Sequence, residues 1–239
     1  EAMLRARPEI ALRIIKALKL FWCLRGYFAE GQGWVVRALE RGLLAPSALR
    51  ARALNTGGVL AWFQADYALL RRYCEQTLVL AEEGEDRWSH AAALILLGSG
   101  AAHEGDGARA TLLLEQSILV AQEVGDPWLI AQSLHHSAVN ALYGDDLERA
   151  TACVDGALAV SRRAGDKWTS ALATRTQGFI ALKRQDYAGA TASLQTAIHL
   201  YRELGYKWGL AVCLEGLAQI FHTQGSTDDA VRLCGAAEA

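Results

Sequence analysis

Tryptophan recurs in this sequence at a constant interval of forty residues. The residues that keep this interval are Trp88, Trp128, Trp168 and Trp208. A glycine-containing or acidic turn sequence, such as Gly125-Asp126-Pro127, precedes the tryptophan in each case. Repetition with a period of about 20–50 residues is typical of proteins that are built by stacking one structural unit many times. The interval therefore predicts a repeat protein.

Each repeat has the pattern of two helices joined by a short turn. In residues 87–126, apolar residues follow helical spacing on both sides of Gly105-Asp106. Glycine allows the turn and aspartate caps the helix that follows it. Alanine and leucine are abundant, and the 239 residues include only 3 prolines, which favours helix throughout. The sequence predicts an all-α chain.

Six helix pairs account for the whole sequence. The predicted repeats cover approximately residues 8–46, 47–86, 87–126, 127–166, 167–206 and 207–239. The first repeat is degenerate, as terminal repeats often are, and Gly26 to Gly31 takes the place of its turn. We predict a single superhelical domain over residues 1–239. The sequence starts inside an amphipathic pattern without methionine, so we interpret it as a piece of a longer protein.

Small residues recur at two positions of the repeat. Seven residues before the turn are Gly58, Gly98, Ala138, Gly178 and Ala218. Four residues after the second turn residue are Leu70, Ala110, Ala150, Ala190 and Ala230, so that four of the five are small. Small side chains at fixed positions let neighbouring helices approach closely, so both positions are predicted to lie at helix crossings.

The segment from Gly178 to Ala190 resembles the tetratricopeptide repeat (TPR). It follows the order Gly-x-x-x-x-x-x-Gly-Asp-Tyr-x-x-Ala, except that Gln185 replaces the second glycine. The period of forty is longer than the usual 34. Such long arrays are similar to those of bacterial signal-transduction (STAND) ATPases, which often bear a LuxR-type DNA-binding domain. The segments 21–31 and 213–238 resemble the start and the end of these arrays.

The resemblance implies a right-handed α-solenoid of about six TPR-like hairpins. It also implies a sensor or effector-binding arm of a regulatory ATPase or transcriptional regulator. In TPR-type solenoids the first helix of each pair lines the concave surface. Projecting that surface onto this sequence selects candidate binding residues that mix aromatic, charged and amide side chains. They are Arg52, Asn55, Trp62, Phe63, His103, Gln132, His135, Tyr143, Arg175, Phe179, Lys183, Glu215 and His222.

The four periodic tryptophans allow two interpretations. Trp88 lies four residues before Ala92 and seven before Ile95, so helical spacing places it on the same stripe as the predicted concave positions. The tryptophans could form an aromatic ladder along one edge of the groove. Alternatively, each tryptophan fills the seam against the neighbouring helix pair and serves only as core.

Charge is distributed unevenly along the chain. Residues 1–72 contain 12 Lys and Arg against 5 Asp and Glu, a net charge of +7, whereas residues 73–239 contain 12 against 21, a net charge of −9. The basic residues are not interleaved with aromatics, so we expect no direct nucleic-acid binding.

No apolar run is long enough for a membrane span. The 5 cysteines form no C-x-x-C pair, which predicts reduced core thiols in a cytoplasmic protein.

The sequence contains none of the catalytic motifs for which we searched. No phosphate-binding loop, nucleophile elbow or H-E-x-x-H motif occurs. His135 and His136 are adjacent and diverge on a helix, so we predict no metal site. Asp145-Asp146 and Asp228-Asp229 occur where the repeat requires helix caps. We therefore predict a protein that is not an enzyme and needs no cofactor.

Three functional hypotheses remain open from the sequence. The first is a scaffold that binds a protein or peptide partner and communicates with neighbouring domains of the parent chain. The second is a structural oligomerisation or inter-domain arm without a ligand. The third is a sensor of a small effector, held by Trp62, Phe63, Tyr143 and Phe179.

Overall fold

The computed structural model describes residues 8–238, and these residues form twelve α-helices and no strand. The helices are α1 (Pro8–Arg25), α2 (Phe28–Arg41), α3 (Ser47–Phe63), α4 (Tyr67–Glu83), α5 (Arg87–His103) and α6 (Gly107–Val124). They continue with α7 (Pro127–Tyr143), α8 (Leu147–Arg163), α9 (Lys167–Lys183), α10 (Tyr187–Leu204), α11 (Lys207–Thr223) and α12 (Thr227–Glu238). The predicted all-α class is confirmed. No helix in this part of the chain is both long and apolar enough to cross a bilayer.

Contacts group these helices into two compact units. The first unit ends at Leu129 and the second begins at Ile130, inside α7. Within each unit, consecutive helices pair as antiparallel hairpins, such as α5 with α6 and α9 with α10. The single domain expected over residues 1–239 stays a prediction.

Aspartates begin most of the helices. In each case the carboxylate accepts a hydrogen bond from the backbone N–H three residues later, which satisfies a donor that the helix cannot satisfy itself. The capping residues are Asp66, Asp86, Asp106, Asp126, Asp146, Asp166 and Asp186. Asp145-Asp146 is accordingly part of a turn and a cap.

The turns repeat every twenty residues through a left-handed backbone residue. These residues are Ala65, Glu85, Gly105, Gly125, Asp145, Gly165, Gln185, Gly205 and Gly225. Glycine adopts this conformation without steric cost, and other residues accept it at a cost of about 1–2 kcal/mol. The repeat geometry is therefore maintained even where the sequence has lost the turn glycine.

The small residues lie where helices cross. A Cβ atom added at Gly98 would lie 2.6 Å from Leu114 Cγ, and one added at Gly178 would lie 2.9 Å from Leu194 Cγ. On the second helix of the hairpin, the side chains of Ala110, Ala150 and Ala190 are completely buried. These contacts set the separation of the two helices within a hairpin.

The cysteines follow the prediction of buried free thiols with one exception. Cys23, Cys74 and Cys213 are buried and unpaired, and Cys153 is half-buried. Burial raises the pKa of Cys23 and of Cys213 to about 12, so both are neutral thiols at physiological pH. The prediction of a core thiol is wrong for Cys234, which is exposed because no further helix in the described chain packs over that side of α12.

Candidate functional site

The face formed by α7 from Ile130 onward, α9 and α11 carries a part-buried arginine with one unsatisfied buried nitrogen. Arg175 lies in the middle of α9, and its Nη1 atom is buried yet makes no hydrogen bond to any described residue. No carboxylate among these residues forms an ion pair with it. A buried guanidinium is ordinarily paired, because an uncompensated charge away from water is costly. We call the surface around it the second-unit face and define it by His135, Tyr143, Arg175 and Trp208.

Two of the aromatic residues on the second-unit face are exposed. The Cζ atom of Arg175 lies 5.4 Å from the ring centroid of Trp208, a cation–π distance. Trp208 is 48% exposed and Tyr143 is 56% exposed. Among the described residues of the second unit, Val231 is the only other large hydrophobic side chain that is exposed. The face therefore offers aromatic surface together with an incompletely satisfied cation.

His135 is a second polar group on this face with spare hydrogen-bonding capacity. Its Nε2 atom lies 3.2 Å from the Thr176 hydroxyl, whereas its Nδ1 atom is buried without a described partner. Burial lowers the pKa of His135 well below its usual range, and the neighbouring His136 and Arg175 charges add to this effect. The imidazole is therefore neutral at physiological pH. Because the Thr176 hydroxyl donates to the Leu172 carbonyl, Nε2–H of His135 donates to Thr176 and the buried Nδ1 is left as an acceptor.

Beneath the face lies a tyrosine that sequence reasoning missed. The Tyr201 side chain is completely buried, and its hydroxyl has no hydrogen-bond partner in the described chain. Burial raises the pKa of Tyr201 to about 12, and the nearby positive charge of Arg175 opposes this rise. Tyr201 lies on a second helix, α10, so a search confined to first-helix positions could not select it.

The other predicted residues of the second unit have separate surroundings. Gln132 is buried and its amide donates to the Thr169 hydroxyl at 2.8 Å. Phe179 is half-buried and packs against the hydrophobic core. Lys183 forms an ion pair with Asp145 at 2.6 Å. Glu215 and His222 are exposed on α11. The structure brings His135 and Arg175 together and leaves these residues outside that cluster.

In the first unit, the predicted residues contact one another or adjacent hairpins. Arg52 pairs with Asp86 at 3.0 Å. The buried Asn55 donates to the Ser89 carbonyl at 3.2 Å. Trp62, Phe63 and His103 contact one another through their rings, with Trp62 edge-on to the other two. Phe63 also stacks on Phe28, and His103 stacks on Tyr67. Their roles in ligand binding stay predictions.

The periodic tryptophans form aromatic contacts inside each unit. Trp88 stacks on Trp128 with ring centroids 5.6 Å apart. In the second unit, Tyr206 contacts both Trp168, at 4.8 Å, and Trp208, at 6.0 Å. Trp88 also donates through Nε1 to Asp126 of the next hairpin at 3.0 Å. These contacts join neighbouring hairpins, yet Trp88, Trp128 and Trp168 are only half-buried, so both interpretations of the tryptophans remain.

Comparison with solved structures identifies the fold. A Rap protein complexed with competence and sporulation factor matches with a TM-score of 0.71 at 17% identity, over 84% of this chain and 57% of that one. Aspartyl phosphate phosphatase F from Bacillus subtilis matches with a TM-score of 0.69 at 13% identity, over 97% and 60%. A STAND protein with a tetratricopeptide repeat sensor from Pyrococcus horikoshii matches with a TM-score of 0.59 at 12% identity, over 100% and 45%.

The chain has a tetratricopeptide-repeat-like fold. At these identities the likeness concerns the fold alone, and the chain spans about half the length of each of these three neighbours. No protein-family model matches the sequence, and no curated protein matches it. The resemblance to TPR arrays is thus confirmed for the fold, and the LuxR-type context stays a prediction.

The TPR-like hairpins present no cluster of three His, Cys, Asp or Glu side chains arranged for a metal ion, as far as residues 8–238 are concerned. His135 and His136 contact each other edge-to-face at 5.1 Å, and the Nε2 atom of His135 is engaged with Thr176. This arrangement favours hydrogen-bonding chemistry over metal coordination.

The buried His135 predicts a pH-dependent stability. Its pKa is lowered in the folded state and is about 6.5 in the unfolded state. The unfolded state therefore binds more protons at low pH, so the free energy of unfolding is highest above about pH 6.5 and falls below it, by at most about 1.4 kcal/mol per pH unit.

His135→Gln should make the urea midpoint less dependent on pH between pH 7 and pH 5. His199→Gln, at an exposed site on α10, should leave it unchanged, and equal slopes for His135→Gln and wild type would contradict the assignment.

Proposed function

We propose that this chain is a non-enzymatic scaffold that binds a protein or peptide partner on the second-unit face. The observation that carries this proposal is the Arg175 guanidinium, whose Nη1 atom is buried and without a hydrogen bond while its plane lies near the half-exposed Trp208. Because Arg175 as a whole is only part-buried, its other guanidinium N–H groups can donate charge-assisted hydrogen bonds to an acceptor on a partner.

The chemistry of the face selects the kind of partner. Arg175 favours a carboxylate, because a guanidinium binds both carboxylate oxygens at once. Tyr143 and Trp208 offer aromatic surface for an apolar side chain next to that carboxylate, and such residues are common anchors at protein interfaces. The partner is therefore a segment that carries an acidic residue beside an apolar one.

Two structural neighbours support a role in regulation. One is a Rap protein in complex with competence and sporulation factor, and another is a STAND protein whose tetratricopeptide repeats are named a sensor. We propose by analogy that this chain is the sensor arm of a regulatory ATPase or transcriptional regulator in the cytoplasm. Partner occupancy of the second-unit face would then be transmitted to neighbouring domains.

A second candidate function is an inter-domain or oligomerisation arm, and one observation favours it. Of the fourteen exposed large hydrophobic side chains in the described residues, eight lie between Ile14 and Leu44, in the first hairpin and the loop after it. Leu43 and Leu44 in that loop are 64% and 101% exposed. An apolar surface of this kind often marks a contact with another protein surface.

A random peptide display selection tests the proposed function. The wild-type chain should enrich peptides with an Asp or Glu next to an aromatic or aliphatic residue, and Arg175→Met should lose this enrichment. Arg202→Met removes an exposed arginine from α10 and serves as the matched control. Enrichment of the same peptides by Arg175→Met would refute the proposed site. If no peptide is selected at all, while Leu43→Ser/Leu44→Ser changes the oligomeric state, the structural arm is the correct account.

A further inference from the structure

In the first unit, three cationic side chains gather on two stacked tryptophan rings. Lys16 lies 5.9 Å and Arg52 5.7 Å from the ring centroid of Trp88, and Lys19 lies 4.9 Å from that of Trp128. The two rings stack nearly in parallel, with an angle of 15° between them. We call Trp88 and Trp128 the rung pair. Its ring surface attracts cations, because the face of an indole carries negative charge.

Carboxylates strengthen the preference of the rung pair for cations. The Trp88 Nε1 donates to an Asp126 oxygen at 3.0 Å, which polarises the indole and makes its face more negative. Asp86, the cap of α5, already holds Arg52 against the same ring. Aromatic faces backed by carboxylates are the surroundings in which proteins bind ammonium and guanidinium groups.

Lys16 and Lys19 come from a distant part of the chain, the first helix, α1. Their contact with the Trp88 and Trp128 rings costs free energy. No carboxylate among the described residues pairs with Lys19, and burial lowers its pKa, an effect that the like charge of Lys16 increases. Burying an ammonium without an ion partner opposes this arrangement. An arginine from outside, which stacks on tryptophan and is more weakly hydrated, would compete favourably.

The lysines can leave the rings without unfolding of α1. The helix is held by Leu12, Ile15 and Trp22, which are buried in the core of the first hairpins on the same side of α1 as Lys19. Lysine has a flexible four-carbon stem, so rotamer changes can move Lys16 and Lys19 off the rings, while Arg52 stays against Trp88. The exposed position of Lys16 leaves room for that movement.

We propose that the rung pair is a binding site for the cationic side chains of a partner, and that Lys16 and Lys19 fill it when no partner is present. The ligand is an arginine-bearing segment of a protein. This site is separate from the second-unit face, binds groups of the opposite charge, and does not depend on the function proposed above. The two carboxylates beside the rings, Asp86 and Asp126, favour a positively charged side chain at this position.

Removing the two resident lysines should increase affinity for a cationic probe. We expect Lys16→Gln/Lys19→Gln to bind a hexa-arginine peptide about tenfold more tightly than wild type, since two competing cation–π contacts are gone. Arg13→Gln/Arg25→Gln is the matched control. It removes the same charge from exposed positions of α1 that make no described contact with the rung pair, so any gain that it shows measures general electrostatics alone.

Three further outcomes decide the proposal. Trp128→Leu, added to the Lys16→Gln/Lys19→Gln variant, should abolish the gain. Tetramethylammonium that binds the double variant as tightly as hexa-arginine does would reassign the site to a free small cation instead of a protein segment. If both double variants gain equally, or neither gains, the rung pair is not a ligand site. Should the double variant fail to fold, Lys16→Gln alone, at an exposed position, must still increase quenching of tryptophan fluorescence by caesium ions.

Discussion

Ala190→Arg should destabilise the second unit by about 3–5 kcal/mol. Ala190 is completely buried on α10, one helical turn before Leu194, which packs directly against Gly178 of α9. An arginine there must either bury an unpaired charge or force the two helices of the hairpin apart. The expected result is a large fall in the urea midpoint, with loss of helical circular dichroism at lower denaturant.

Ala192→Arg is the control for this substitution. Ala192 lies on the same helix and is exposed, so its replacement should change stability by less than about 0.5 kcal/mol. Because a repeat array owes its stability largely to contacts between neighbouring helices, the loss should be largest in the second unit. Equal midpoints for the two variants would mean that Ala190 does not lie at a helix crossing.

Arg175→Met should stabilise the protein while it weakens partner binding. Methionine fills a similar volume and removes the guanidinium whose buried Nη1 atom has no described hydrogen bond. We expect a gain of about 1–2 kcal/mol, reduced somewhat by loss of the cation–π contact with Trp208. Affinity for the selected acidic peptides should fall at least about tenfold, because a charge-assisted hydrogen bond is lost. This opposition of stability and function is typical of residues retained for binding.

Urea unfolding and peptide titration of Arg175→Met distinguish a binding role of Arg175 from a role in holding the hairpins together. Arg202→Met, at an exposed position of α10, should leave both stability and affinity close to wild type. A loss of more than about 1 kcal/mol in Arg175→Met would show that the guanidinium holds the hairpins together, and the proposed site would then be wrong.

The sequence predicts the helices and their caps because both depend on local chemistry. The Gly-Asp turns determine where a helix begins, and Asp106 is the clearest example. The forty-residue spacing of the tryptophans shows where the next helix pair starts. Even Gln185, which interrupts the glycine pattern, adopts the left-handed conformation that the repeat requires. At this position the conformation of the repeat is kept although the residue disfavours it.

The site is less predictable because it depends on contacts between hairpins. His135 and Arg175 occupy the same position of consecutive repeats, yet His135 has a hydroxyl partner in Thr176 whereas Arg175 Nη1 has none. The approach of Lys16 and Lys19 to Trp88 and Trp128 joins residues more than seventy positions apart. Periodicity describes one repeat at a time, so it cannot show which side chains remain unsatisfied once the repeats pack together.

A double-mutant cycle tests the central claim most directly. Arg175→Met in the protein is combined with replacement of the acidic residue by its amide in a selected peptide, and all four affinities are measured by calorimetry. If the Arg175 guanidinium binds that carboxylate, the two changes should be coupled by about 2 kcal/mol. Free energies that add to within about 0.5 kcal/mol would show that the peptide binds elsewhere and would contradict the account.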